Sequence, residues 1–448
     1  MILLVYYIRA LFEKFAISEK EMCKMKYQEY SREQRDAELS TLWEEINKIK
    51  EKNIKLNMAR GVPSPDQLDL SRKMLDILTS ESDCHAEDGT DCCNYGVMDG
   101  IPECKKLMAD VMGVTPDMVM VGGNSSLNMM FDTIALFMTH PVTGGTPAWS
   151  LVPDRKFLCP VPGYDRHFGV TEYFGFQMIP VPMDENGPDM ELVEELVKDP
   201  TVKGMWCVPK YSNPSGISYS DEVVRRIAAL QPAAADFRVM WDNAYCIHDL
   251  TDDHDEILNI FDECEKTGNI DMPIEFCSTS KITFPGSGVA AMAASANNMA
   301  VIKGKYQFQN IGYDKLNMLR HVRFFGDIEG MKAHMKKHAE ILRPRFEIVL
   351  NKLGENLDEL GIIRYNRPRG GYFVCVDVLD GTAKRVVELC KEAGVNLTGA
   401  GATYPYGNDP HDSNIRIAPS FPSLEDLASA MDVFCLCARI AALEKLNA

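Results

Sequence analysis

Lys281 is the residue in this sequence best set to do chemistry. It closes Ser278-Thr279-Ser280-Lys281, where an apolar run through Ile274, Phe276 and Cys277 ends in hydroxyls and then breaks at Pro285 and Gly286. The pattern predicts a strand whose end presents one lysine to a cleft. Desolvated there, the amine loses part of its preference for the proton and becomes a nucleophile able to form a Schiff base with an aldehyde. The rival reading is a solvated surface lysine, and the neighbouring signals weigh against it.

Those signals recur along the chain, each with a plainer alternative. Gly122-Gly123-Asn124-Ser125-Ser126 joins a predicted strand to a predicted helix. Its glycines allow a tight turn, and free amides with hydroxyls at a helix start suit a phosphate, unless Asn124 or Ser125 only caps the helix. Tyr164 follows the rigid turn Cys159-Pro160-Val161-Pro162-Gly163, where a ring either stacks on a flat cofactor or simply packs. Asn213 lies in Tyr211-Ser212-Asn213-Pro214, an ordinary Asn-Pro turn or an amide placed to donate to a phenolate oxygen. Asp242 ends Val239-Met240-Trp241 and precedes Tyr245. A carboxylate leaving an apolar run needs a partner, either a basic side chain or a pyridine nitrogen that it would keep protonated. Arg416, in Asn414-Ile415-Arg416-Ile417, offers a fork that matches a carboxylate, with a structural salt bridge as the rival.

The elements that must position these residues alternate. Strand-like runs at Val119-Val121, Phe157-Cys159, Met178-Val181, Gly204-Val208, Val239-Trp241, Ile274-Cys277 and Val289-Ala294 are separated by helical stretches such as Leu127-Met138 and Asp221-Leu230. Such alternation predicts βαβ units and a mainly parallel sheet, with ligands beyond the carboxyl ends of its strands. An amphipathic helix is expected over Ser31-Lys50, on Leu39, Leu42, Ile46 and Ile49. A long helix over Met331-Leu353 opens a shorter α+β pattern: strands near Ile363-Tyr365, Gly371-Val374 and Ile415-Ile417, and helices over Ala383-Ala393 and from Leu424. The expected division is an extension over 1–30 without an assigned role, a helix and arm over 31–64, a large domain over 65–325 and a small one over 326–448.

Composition narrows the function. A formal net charge of −18 argues against nucleic acid and anionic membrane surfaces as partners. The apolar start, Met1 to Ile8, is too short to span a bilayer. Fourteen scattered cysteines, several in apolar runs and none in a zinc-type spacing, fit free thiols in the cytoplasm and no metal site. His248-Asp249 with Asp252, Asp253, His254 and Asp255 reads as a solvated acidic loop. Arg320 and Arg323 are candidates for a substrate side-chain carboxylate or for surface salt bridges.

Phosphate loop, stacking tyrosine, asparagine, aspartate, lysine and arginine, in that order, fit pyridoxal phosphate (PLP). With Asn57-Met58-Ala59-Arg60-Gly61, Asn213-Pro214-Ser215-Gly216 and Lys315-Leu316-Asn317-Met318-Leu319-Arg320-His321, the chain resembles the fold-type I aminotransferases, in their aspartate aminotransferase-like, MocR-related branch, over about residues 30 to 445. The resemblance implies a three-layer αβα large domain with a mainly parallel sheet plus a smaller α+β C-terminal domain. It implies a homodimer moving an amino group from an amino acid, aspartate by preference, to a 2-oxo acid, 2-oxoglutarate by preference. A β-lyase on the same scaffold is the alternative, and a non-catalytic ligand sensor a more distant one. Carried over, Lys281 would hold the cofactor and shuttle the proton, Asp242 would pair with the ring nitrogen, and Asn213 and Tyr245 would bond the ring oxygen. Tyr164 would stack on the ring, and Asn124, Ser125, Ser126 and Ser278 would hold the phosphate. Arg416, beside Asn213, would bind the substrate carboxylate, and Tyr95 would reach the partner subunit's phosphate. Relatives commonly carry a phosphate-binding arginine seven residues after the lysine, where this chain has Gly288.

Overall fold

The structure is a computed structural model describing residues 26–143 and 145–448. The first 25 residues of the expected extension lie outside it. Its central sheet has eight strands, in the spatial order Val119–Val121, Ala290–Ala294, Pro273–Ser278, Arg238–Asp242, Val202–Cys207, Lys156–Val161, Gln177–Asp184 and Gly187–Pro188. From Pro273–Ser278 to Gln177–Asp184 all neighbours are parallel. Ala290–Ala294 runs against both of its neighbours, and Gly187–Pro188 against Gln177–Asp184. The sheet is therefore mainly parallel, as the alternation of elements predicts.

Every residue of 119–121, 202–207, 238–242 and 290–294 is buried. These strands read as mainly apolar runs because both faces of the sheet are covered, and the charges among them are partnered: Lys203 pairs with Asp236 at 2.8 Å and Arg238 bonds Asn298 Oδ1 at 3.0 Å. Successive side chains still divide between the faces: Val239 and Trp241 pack with Ile227 and Ile260, whereas Met240 packs with Phe157, Trp206 and Phe276. Shared strand direction has a functional consequence. The chain leaves the sheet toward Tyr164, Asn213, Tyr245 and Lys281 from the same edge, after Val161, Cys207, Asp242 and Ser278.

The remaining core surrounds a three-stranded antiparallel sheet of Ile363–Tyr365, Val374–Val378 and Asn414–Ile417, with Val374–Val378 in the middle. Leu342, Phe346, Leu389, Phe434 and Ile440 fill it from the helices Ile328–Leu357, Ala383–Glu392 and Leu424–Asn447. Leu42 and Ile46 of the helix Arg32–Lys50 enter the same core, so the N-terminal helix packs with the C-terminal elements. Ser31 starts that helix with a reciprocal cap: its hydroxyl accepts from Gln34 N at 3.3 Å, and Gln34 Oε1 accepts from Ser31 N at 2.8 Å.

Two expected boundaries move for local reasons. The long helix begins at Ile328, because Asp327 caps it by accepting from Gly330 N at 2.9 Å. The strand expected over Gly371-Val374 begins only at Val374. Gly371 has φ +79° and Gly370 lies flat against the Tyr211 ring, where a Cβ would come within 2.0 Å of it. Among the described residues no helix is long and apolar enough to cross a membrane.

Candidate active site

The strand ends and the C-terminal residues Phe373, Thr398 and Arg416 enclose a cavity of about 430 Å³. Ser125, Ser126, Tyr164, Asn213, Asp242, Tyr245, Ser278, Lys281 and Arg416, spread over nearly 300 positions of sequence, all line it. Lys281 Nζ sits 5.0 Å from the Tyr245 ring centre and 5.9 Å from that of Tyr372. Burial pulls the ammonium below its ordinary pKa; Asp242 opposes this and Arg416 adds to it. The shift is in the direction that favours the free amine. The backbone beneath is fixed by residues the sequence did not single out. Tyr372 donates its hydroxyl to the Lys281 carbonyl at 3.3 Å and accepts from Gln67 Nε2 at 2.8 Å. His334 Nε2 lies 2.9 Å from the Ile282 carbonyl.

Asp242 is buried at 3% exposure. His167 Nε2 donates to its Oδ2 at 2.9 Å, and the imidazole stacks on Trp206 at 4.2 Å between ring centres. Trp206 Nε1 in turn donates to Thr171 Oγ1 at 2.8 Å, and Thr171 to the His167 carbonyl at 2.7 Å. The other carboxylate oxygen, Oδ1, is buried with no partner. An unpaired buried carboxylate oxygen is costly unless a donor completes it. A protonated pyridine nitrogen in the cavity is such a donor, so the residues present fit the cofactor the resemblance implies. His167 was missed because it sits inside the helix Asp165–Tyr173. Its spacing of three from Tyr164, which places both on one helical face, was the available signal.

Arg416, 7% exposed, lies over the Phe373 ring at 4.8 Å. Its Nη1 donates to Asp165 Oδ1 at 3.0 Å and to Asn213 Oδ1 at 3.2 Å, and its Nη2 to Thr398 Oγ1 at 3.3 Å. Asn213 thereby keeps its amide NH2 free to donate, as expected. Tyr245 is held well above its ordinary pKa, by burial first and by Tyr164 and Asp242 next, so it remains a phenol able to donate. Burial pushes Tyr164 up to about 12, with Asp242 and Asp165 adding.

The opposite end of the cavity is made of hydroxyls. The helix Ser126–Thr139 starts beside it, and the Ser125 side chain makes no capping bond, leaving the first-turn amides and hydroxyls open. Ser278 donates to Ser280 Oγ at 3.0 Å, and Ser280, also in the cavity wall, was another residue passed over. Gly288 could not hold an arginine without movement, because a Cβ there would stand 3.0 Å from Thr279 Oγ1 and 3.3 Å from the Phe284 carbonyl.

Several expected residues stand elsewhere. Asn124 is exposed, outside the cavity lining, and donates to the Pro285 carbonyl at 3.3 Å, because its side chain turns back onto the loop after Lys281. Tyr95 is 84% exposed and outside this cavity. Arg320 donates to Ser287 Oγ at 2.8 Å and bonds Asn317, and Arg323 bonds the Asp83 carbonyl. Neither arginine lines the cavity or forms an ion pair with a described residue. His248 is buried against Tyr245 and Tyr372 rather than solvated, while Asp249 pairs with Lys210 at 2.7 Å. Among the described residues no cluster of His, Cys, Asp and Glu is arranged to hold a metal ion.

Known proteins match this arrangement over nearly the whole chain. The model of the family described as aspartate amino-transferase matches residues 31–448. An aspartate aminotransferase of Corynebacterium glutamicum is 48% identical over 399 residues, 89% of this chain and 92% of that protein. The crystal structure of an aspartate transaminase from the same organism superposes with a TM-score of 0.92 at 45% identity, covering 94% of this chain and 99% of that one. LysN, an α-aminoadipate aminotransferase of Thermus thermophilus solved with N-(5'-phosphopyridoxyl)-L-leucine, shares the fold at a TM-score of 0.68 and 20% identity, over 88% and 93% of the two chains. The chain is an aminotransferase and belongs to the aspartate aminotransferase family.

Proposed function

We propose that this aminotransferase uses PLP to move the amino group of aspartate to 2-oxoglutarate, as a cytoplasmic homodimer with shared sites. One observation carries the reading: in one cavity the chain sets a lysine amine, a buried carboxylate with a free oxygen and an arginine with a free edge. When bound, PLP supplies an electron sink for the negative charge that develops at the substrate α-carbon. Asp242 Oδ1 would accept from the ring nitrogen and keep it protonated, with His167 holding the carboxylate in place. Asn213 and Tyr245 would donate to the ring oxygen, and Tyr164 would cover a ring face. Ser125, Ser126, Ser278 and Ser280, with the helix amides, would hold the phosphate. Arg416 fixes the substrate through its α-carboxylate, and Lys281 Nζ takes the proton from the α-carbon and holds it for return.

Tyr95, Phe308 and Ile311 support the dimer. They are 84%, 85% and 64% exposed on adjoining loops, an apolar patch that a second copy would cover. Free thiols at every described cysteine support a reducing compartment. The reaction is tested by supplying the protein with PLP, aspartate and 2-oxoglutarate beside a Lys281→Ala variant. Oxaloacetate and glutamate are expected from the wild type alone, with a loss of at least about 10³-fold in the variant. Ammonia and pyruvate in their place, or equal turnover by both proteins, would overturn the reading.

A further inference from the structure

Tyr372 stands behind the cavity wall rather than in its lining, yet it meets Lys281 twice. Its hydroxyl donates to the Lys281 carbonyl at 3.3 Å, and its ring centre lies 5.9 Å from Nζ. One side chain thus holds the lysine at its main chain and stands beside its amine. The ring is 1% exposed and stacks with Tyr245, 6.3 Å between centres and 23° between planes, so Nζ lies over both rings of one stack.

Partners set the direction of that hydroxyl. Gln67 Oε1 accepts from Ser64 N at 3.1 Å, which leaves the amide nitrogen to donate, to the Tyr372 oxygen at 2.8 Å and to His338 Nδ1 at 3.0 Å. With its oxygen already accepting, the phenol turns its own hydrogen to the Lys281 carbonyl. Burial holds the phenol above its ordinary pKa, so the hydrogen stays on it. His338 is kept neutral, its pKa pulled down to about 3 by burial first and by His334 next, so no charge there competes for the hydroxyl. The main chain is pinned as well, since Gly371 N donates to the His248 carbonyl at 2.9 Å.

A buried ammonium depends on its few neighbours. Asp242 and Arg416 act on Lys281 in opposite directions, and the rings of Tyr245, Tyr372 and His248 stand around it. Tyr164, Asp165, Arg60 and Arg166 share the cavity wall. His248 brings no charge, because burial first and Lys281 next pull its imidazole well below the ordinary pKa. Aromatic faces attract an ammonium and not a neutral amine. We propose that Tyr372, oriented by Gln67, is a positioning residue for the reaction: its hydroxyl fixes the main chain from which Lys281 reaches, and its ring, with that of Tyr245, steadies the ammonium between taking a proton and returning it. The inference rests on the reading of Lys281 as the acting amine.

Hydroxyl and ring are separated by Y372F, which removes only the first, and Y372L, which removes both. In PLP-loaded enzyme with aspartate and 2-oxoglutarate, kcat of Y372F is expected to fall about fivefold, the loss of one hydrogen bond, with KM within about twofold because Tyr372 does not line the cavity. Q67M is expected to reproduce that fall in the wild type and to add nothing in Y372F, since it acts through the same hydroxyl. The ring is read without turnover, from the pH dependence of PLP attachment to the apoenzyme, followed by absorbance. Its midpoint is expected to drop by about 0.5 to 1 pH unit in Y372L and to hold in Y372F, the titration of PLP itself being common to both. Wild-type kcat in Y372F, a further fall of about fivefold on adding Q67M to Y372F, or an unmoved midpoint in Y372L would each overturn the proposal. If Y372L does not fold, Y372F and Q67M decide it. PLP attached by Lys281→Ala at the wild-type rate would overturn the choice of lysine itself, a failure that the Tyr372 variants cannot imitate.

Discussion

At the Asp242 end of the cavity, His167, Trp206 and Thr171 form a buried chain of bonds that leaves Asp242 one orientation. At the Ser125 end the groups are loop hydroxyls: Ser278 bonds Ser280, and Ser280 reaches the Asn124 carbonyl at 3.3 Å. The first end is preorganised by side chains that cannot move without breaking packing. The second is a set of small, separate contributions, with Gly288 at the position where the resemblance implies an arginine. Electrostatic preorganisation in a dry site is worth more than equal contacts near solvent, so the two ends should respond unequally to substitution.

Between the two ends, the larger effect is expected from Asp242→Asn, which keeps an acceptor for His167 and removes only the charge. A fall in kcat of about 10²- to 10³-fold is expected, with the thermal midpoint little changed. Steady-state kinetics beside a melting curve checks it. A drop of only a few-fold would mean that the buried chain of bonds is scaffolding, and the contrast between the ends would fail.

Gly288→Arg separates the two ends in another way. If the missing arginine were a simple vacancy, restoring it should tighten cofactor binding. The crowding by Thr279 Oγ1 and the Phe284 carbonyl instead predicts a destabilisation of about 1–3 kcal/mol and no gain in PLP affinity. Thermal melting and a PLP titration of the apoenzyme read the two quantities separately. Ser278→Ala is milder still. It removes one of several hydroxyls and is expected to weaken PLP binding by about fivefold, or about 1 kcal/mol.

The same contrast explains what the sequence disclosed. Lys281, Asp242 and Arg416 were legible as candidates because a charged residue in or after an apolar strand needs a partner, and the parallel topology sends four strand ends, those before Lys281 and at Asp242 among them, to one edge. The sheet was legible because its buried strands are mainly apolar runs separated by helical stretches. His167 and Tyr372 were hidden, since an aromatic or histidine inside an element looks like core until a partner from a distant strand is known. Asn124 was misjudged because a hydrogen-bonding side chain in a glycine loop has many local acceptors, and the Pro285 carbonyl captured it.

Tyr95 gives a similarly small expected effect and the finest test of the contrast. Its loop is pinned from below: Lys315 Nζ donates to the Asn94 carbonyl at 2.7 Å and the Gly96 carbonyl at 3.0 Å, and Gly312 packs so close that a Cβ would meet the Gly96 oxygen at 2.3 Å. A ring held at its base yet 84% exposed within one protomer is placed to be covered by another molecule. If it donates to the partner subunit's phosphate, Tyr95→Phe removes one hydrogen bond and keeps the apolar contact. PLP affinity should then fall about three- to tenfold, with the dimer intact. Fluorescence titration of PLP, with sedimentation at the same concentrations, reads both. Unchanged affinity in an intact dimer would leave the ring a packing role alone. A loss as large as that of Asp242→Asn would show that the phosphate end is as tightly organised as the ring end, with part of its order supplied across the subunit boundary.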